Sequence, residues 1–89
     1  MPEASSNIRM MFLRDAVLRV LSQTHGFWML EITILQQVNL TLRPSTAPTE
    51  LAAALEKLLA KGKVDYQIDE DDQQIRRWQI TEVGLQQLR

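Results

Sequence analysis

The segment Thr49–Thr81 changes its hydrophobic period within a short span, and this change constrains the fold more than any other feature. Over residues 49–61 the leucines fall at helical spacing, so one face of a helix is apolar. Gly62 follows that run as a natural helix terminator. Two runs of alternating apolar and polar residues come next, 64–69 and 75–80, separated by an acidic turn. The segment therefore predicts an amphipathic helix followed directly by a β-hairpin.

The sequence upstream predicts a first helix over residues 8–23 with more than one apolar strip. Its main apolar face contains Met10, Leu13, Ala16, Val17, Val20 and Leu21. A second strip lies outside that face and contains Ile8, Met11 and Leu18. Such a helix is buried on two sides within its own domain, or it packs on another chain. Both alternatives stay open at this point.

The remaining segments complete the predicted order of elements. Residues 1–7 form a polar, flexible arm, and the folded domain spans residues 8–89. A short edge strand is predicted at 27–29 and a second helix at 30–40. Two prolines make 41–48 a connector, and Thr81 caps a short closing helix. The predicted order is helix, short strand, helix, helix, strand, strand, helix.

Composition narrows the class of protein. The 89 residues are sufficient for one domain with a modest core. The chain has no cysteine and only one histidine, His25, so neither a thiolate zinc site nor a histidine-rich metal site is expected. It also has no phosphate-binding loop or nucleophile motif, and we expect neither catalysis nor a cofactor. The absence of a long apolar run or a signal-like start favours a cytoplasmic protein.

The quoted segments resemble a known family of folds. The phrase LEKLLAKGKV, followed by the hairpin and by WQITEVG, resembles the second half of many bacterial winged-helix transcriptional regulators. The phrase LRDAVLRVLSQTHGFWMLEITILQQVNL resembles the first two helices of small winged-helix proteins of Mu-like phages and prophages. The resemblance covers roughly residues 8–88. It implies an α+β winged helix-turn-helix, with a three-helix core, a two- to three-stranded antiparallel wing and a short C-terminal helix.

The resemblance also implies a function, namely binding of double-stranded DNA and regulation of transcription. In such domains the third helix enters the major groove. Hydroxyl groups and cations at its start and on the wing are the candidate contacts. These candidates are Arg43, Ser45, Thr46, Thr49, Lys57, Arg76 and Arg77.

The charge distribution opposes this function in part. The net charge is −1, whereas proteins that depend on phosphate attraction usually carry more positive charge. Glu50 and Glu56 lie on the same helix, and the wing tip 69–72 is entirely acidic. Arg76 and Arg77 can pair with those wing carboxylates across the hairpin.

An alternative function is therefore a protein-interaction module that does not bind DNA. It would use the second apolar strip of the first helix, which includes Ile8, Met11 and Leu18, and the acidic wing as a docking site for a basic partner. The same strip is the expected interface of a homodimer, which we predict for the DNA-binding protein as well. Trp28 and Trp78 are interpreted as core residues rather than interface anchors.

Overall fold

The fold consists of four helices and a three-stranded antiparallel sheet. The computed structural model describes the backbone of residues 2–89 and the side chains of residues 8–89. The elements, in chain order, are α1 (Pro2–Gln23), β1 (Met29–Leu30), α2 (Glu31–Val38), α3 (Pro48–Ala60), β2 (Val64–Ile68), β3 (Arg76–Ile80) and α4 (Glu82–Gln87). This architecture confirms the predicted α+β winged helix-turn-helix.

The sheet has the strand order β1-β3-β2, so the returning strand of the hairpin lies in the centre. Trp78 on β3 is paired with Met29 of β1 on one side and with Tyr66 of β2 on the other. The Trp78 side chain is fully buried, as predicted. The short strand also forms as predicted, but at 29–30. Trp28 precedes it and keeps 38% of its surface exposed, so the prediction that it is a core residue was wrong.

Helix α1 crosses the whole domain and packs against α2, α3, β3 and α4. Because it is covered on two sides, Leu18 is fully buried, and the prediction that it belongs to an exposed interface strip was wrong. Ile8 and Met11 remain 53% and 61% exposed. The helix also begins at Pro2 rather than at residue 8, so the backbone after Met1 is helical where an arm was predicted. The side chains of that arm lie outside the described residues.

The junction between α3 and the wing has the geometry that the glycine predicts. Gly62 adopts a φ of 73°, its N–H donates to the Leu59 carbonyl, and the Lys63 N–H donates to the Leu58 carbonyl. These two bonds form a Schellman motif, which satisfies carbonyls that the end of a helix would leave unpaired. The motif ends α3 sharply and places β2 directly after it.

The last helix is fixed to this same junction. Thr81 is the N-cap of α4 as predicted, since its hydroxyl accepts the Gly84 N–H at 3.3 Å and donates to the Gly62 carbonyl at 2.6 Å. A Cβ atom at Gly84 would collide with the Lys63 carbonyl oxygen. Glycine is therefore required where α4 crosses the start of the wing.

Candidate nucleic-acid interface

The exposed surface of α3 and of the loop before it contains most of the predicted contact residues. Thr49 and Lys57 are exposed along the helix, and Arg43 and Ser45 are exposed in the loop. Lys57 forms no ion pair with any described side chain. Two hydroxyl groups and two cations are thus exposed on α3 and on the loop before it.

Thr46, by contrast, is not available as a contact. Its side chain is only 4% exposed, and its hydroxyl has no hydrogen-bond partner among the described residues. Asn39 holds its backbone: the Asn39 Oδ1 accepts the Thr46 N–H at 2.7 Å, and the Asn39 Nδ2 donates to the Thr46 carbonyl at 3.2 Å. The prediction that Thr46 contacts DNA was wrong, because the clamp turns this residue inward.

The loop is fixed further by its own arginine. The Arg43 Nη1 donates to the Asn39 carbonyl at 2.6 Å, which closes the loop on the end of α2. The other guanidinium donors of Arg43 form no hydrogen bond with described residues. Arg43 therefore has an anchored side chain and free donors, which is the arrangement that a phosphate or guanine contact requires.

The first glutamate of α3 is engaged within the protein. The Glu50 carboxylate accepts the Ala47 N–H at 3.1 Å and a bond from Arg9 Nε at 2.8 Å. Arg9 Nη2 also donates to the carbonyls of Pro44 and Ser45. The hydrogen bond from Arg9, followed by the one from Ala47, lowers the pKa of Glu50, and the same ion pair raises the pKa of Arg9. Glu50 thus caps α3 and is neutralised by a cation from α1.

The second glutamate of α3 is engaged by the wing. Arg76 Nη1 lies 2.6 Å from Glu56 Oε1, and Arg76 Nη2 lies 3.2 Å from Glu31 Oε1. The guanidinium carbon stands 4.7 Å from the Trp78 ring centroid and 5.4 Å from that of Tyr66. We refer to Glu31, Glu56, Tyr66, Arg76 and Trp78 as the Arg76 cluster. It joins α2, α3 and the sheet.

The electrostatics of the Arg76 cluster keep its arginine charged and occupied. Burial alone would lower the pKa of Arg76, but the hydrogen bonds and charges of Glu56 and Glu31 outweigh it and raise that pKa. Trp78 Nε1 donates to the same Glu31 oxygen at 3.0 Å. The prediction that Arg76 pairs with the wing carboxylates was wrong, because its side chain lies on the sheet face that packs on the helices.

Arg77 points to the other face of β3 and does pair with the wing. Its Nη2 lies 3.3 Å from Asp69 Oδ1, while Asp69 Oδ2 accepts the N–H groups of Asp71 and Asp72 at 3.1 Å each. Asp69 therefore shapes the turn as well as pairing with Arg77. The next three acidic side chains, Glu70, Asp71 and Asp72, are exposed and form no ion pair with described residues.

Sequence reasoning missed Arg9, Glu31 and Asn39, which organise this surface without being exposed contacts. The bond from Arg9 to Glu50 spans 41 positions, and that from Trp78 to Glu31 spans 47. Helical spacing relates residues three or four positions apart and carries no information about partners at such distances. Only the assembled fold shows that the two glutamates on α3 are paired.

The structure adds two further observations on the class of protein. No helix among the described residues is long and apolar enough to cross a membrane. Within the same part of the chain, histidines and carboxylates form no group of three that could hold a metal ion.

Comparison with known proteins identifies the fold. No protein-family model matches the sequence, and no curated protein matches it. Several solved structures, however, do match this chain. The PcaV transcriptional regulator of Streptomyces coelicolor superposes with a TM-score of 0.67 at 20% identity, over 82% of this chain and 46% of that one. The transcriptional regulator BldR of Sulfolobus solfataricus gives 0.67 at 25%, over 86% and 49%.

A third structure extends the same likeness. ZitR of Lactococcus lactis, a zinc-responsive MarR family member, gives a TM-score of 0.65 at 18% identity, over 83% of this chain and 45% of that one. The chain spans about half the length of each of these proteins. The likeness shows that this chain has the winged-helix fold.

Proposed function

We propose that this protein binds double-stranded DNA through the exposed side of α3 and the loop before it, and acts as a transcriptional regulator. Arg43 and Lys57 supply positive charge, and Ser45 and Thr49 supply hydroxyl donors near the start of the helix. The observation that carries the proposal is the internal pairing of Glu50 and Glu56. Their charges are balanced by arginines of this chain, so they oppose phosphate less than the sequence suggests.

The structural neighbours support this proposal. PcaV and BldR are transcriptional regulators, and they superpose on 82% and 86% of this chain. The proposal includes the cytoplasm as the place where the protein meets DNA. The origin from a Mu-like phage stays a prediction from the sequence resemblance.

The wing contributes less to the proposed interface than the helix does. Arg76 is held inside the Arg76 cluster, and the wing tip carries free carboxylates that repel phosphate. Arg77 is exposed and pairs only loosely with Asp69, so it remains the one wing residue that we propose as a backbone contact. We expect low affinity for random DNA, with binding that depends on a preferred sequence.

The test is duplex binding measured by fluorescence anisotropy over a range of salt concentrations, first with random-sequence DNA and then with sequences selected from a random library. Arg43→Ala combined with Lys57→Ala should weaken binding and reduce the slope of log K against log salt by about 2, since each phosphate contact contributes about 0.9. The control, Arg19→Ala combined with Arg89→Ala, removes two cations elsewhere and should leave the slope unchanged. Absence of binding by the unmodified protein at low salt would remove the proposal.

We also propose that the protein self-associates through the apolar residues that α1 leaves exposed. Ile8 and Met11 stay accessible, and Phe12 beside them is 62% exposed. Together they form a larger apolar patch than single scattered surface residues do. Met11→Glu should shift the protein to a smaller species in sedimentation while its circular dichroism stays unchanged. An unmodified protein that sediments as a monomer would rule out this association.

A further inference from the structure

A cleft of positive charge lies beside the C-terminal end of α3. It has a volume of about 380 Å³ and is bounded by α1, the end of α3 and α4. Met11, Phe12 and Leu58 supply apolar walls; Arg14, Lys61 and Lys63 supply the charge; Asp15 and Gln87 complete the lining. We call it the cationic cleft.

The charges of the cationic cleft are not compensated by the described side chains. Arg14, Lys61 and Lys63 are absent from every ion pair in that part of the chain, and Asp15 is engaged with Arg19 at 2.7 Å. The Arg14 Nε atom is buried and has no hydrogen-bond partner among residues 8–89. Burial, then the charges of Lys61 and Arg14, lower the pKa of Lys63. Three like charges beside an apolar wall favour an occupant that is both acidic and apolar.

The wing tip of this same protein has the complementary chemistry. Glu70, Asp71 and Asp72 are exposed and have no cationic partner among the described residues. Ile68 and Ile75 flank them and remain 48% and 40% exposed. The tip therefore combines free carboxylates, which complement the charges of the cationic cleft, with accessible apolar side chains, which can pack on its apolar walls.

The tip cannot reach the cleft of its own chain. Lys63 stands at the base of β2, and the five residues of that strand carry the tip about 16 Å away from it. A symmetric contact of two clefts is also disfavoured, because it would bring two clusters of positive charge together. An acidic segment of another molecule satisfies both the charge and the apolar walls.

We propose that the cationic cleft of one molecule binds the acidic wing tip of a second copy of this chain. The proposal rests on the proposed self-association and specifies its surfaces; it does not depend on DNA binding. The contact joins two different surfaces. If each of two molecules places its wing tip in the cleft of the other, a closed dimer forms. If each wing tip instead enters the cleft of a further molecule, longer assemblies form.

The experiment uses charge reversal and mixing, read out by sedimentation velocity from micromolar to millimolar protein. Glu70→Lys with Asp71→Lys gives a variant in which wing and cleft are both positive. Lys61→Glu with Lys63→Glu gives one in which both are negative. Each variant alone should associate more weakly than the parent by on the order of tenfold or more. An equimolar mixture should recover association, since each wing then meets a cleft of opposite charge.

Two controls separate the contact from the effects of fold and net charge. One variant combines Glu70→Gln with Asp71→Asn at the wing tip, and the other combines Gln36→Lys with Gln37→Lys on α2. The two variants change the net charge by the same amount, but only the first alters the wing tip. The first should weaken association by roughly 2- to 20-fold, and the second should not. Each variant should keep the circular dichroism spectrum and melting behaviour of the parent.

Three results would overturn the proposal. They are a parent that stays monomeric throughout, single reversals that associate as the parent does, and a mixture that associates no better than its components. None of these results bears on DNA binding, which is measured separately by anisotropy. Conversely, recovery in the mixture would support the contact even if no duplex is bound.

Discussion

Replacing Arg76 with alanine tests how the wing is attached to the helices. The substitution removes a 2.6 Å ion pair to Glu56, a 3.2 Å ion pair to Glu31 and the cation–π contact to Trp78. Exposed ion pairs contribute about 0.2–1 kcal/mol each, and a cation–π contact about 0.5–1 kcal/mol. Because the Arg76 side chain is 27% exposed, we expect values within these ranges and a total loss of about 1–3 kcal/mol.

The loss should appear as a lower melting temperature, by about 4 °C or more for each kcal/mol in a domain of this size. It should also reduce DNA binding, since the charge of Glu56 on α3 is then exposed without a partner. The salt slope of binding should stay unchanged, because Arg76 does not contact phosphate in the proposed complex.

A double-mutant cycle identifies the source of these effects. Glu56→Gln should cost less in the Arg76→Ala background than in the parent, and it should restore part of the lost DNA affinity. Thermal denaturation followed by circular dichroism measures the first effect, and anisotropy measures the second. Additive stability losses, or a salt slope that falls by about 0.9 on Arg76→Ala, would refute the assignment of Arg76 to an internal cluster.

Three further predictions concern stability. Gly84→Ala should cost about 1–3 kcal/mol in chemical denaturation, because the new Cβ collides with the Lys63 carbonyl; an unchanged midpoint would show that α4 can shift. Because the pKa of Glu50 is lowered from its ordinary value of 4.5, the ionised carboxylate stabilises the fold at pH values above 4.5. This stabilisation is lost as the pH falls through the lowered pKa of the folded state. The melting temperature of Glu50→Gln should therefore depend less on pH below 4.5 than that of the parent protein. Leu18→Ala should cost about 2–5 kcal/mol, and Met11→Ser less than about 0.5 kcal/mol, in the same denaturation assay; equal losses would contradict the burial difference.

The architecture could be predicted because its signals are local. The leucine spacing of α3, the glycine that ends it and the alternation in the hairpin each act within a few residues. The same is true of Thr81, whose hydroxyl caps α4 as a threonine at a helix start does. These elements formed within one or two residues of the predicted bounds.

The surface could be predicted only in part, because its state depends on distant partners. The sequence places Glu50 and Glu56 on α3 but does not show that Arg9 and Arg76 neutralise them. The same limit applies to Leu18. The sequence correctly places it outside the main apolar face of α1, but other elements of the fold cover it. Burial on two sides is a property of the assembled domain rather than of one helix.

Nuclear magnetic resonance shows residue by residue whether the loop before α3 and the exposed side of that helix contact DNA. Isotope-labelled protein is titrated with a duplex at low salt, and the amide shifts are mapped on the chain. We predict the largest changes between Arg43 and Lys57, with little change around Arg14 and Lys63. No shifts at saturating duplex, or shifts concentrated at the cationic cleft, would contradict the proposed interface.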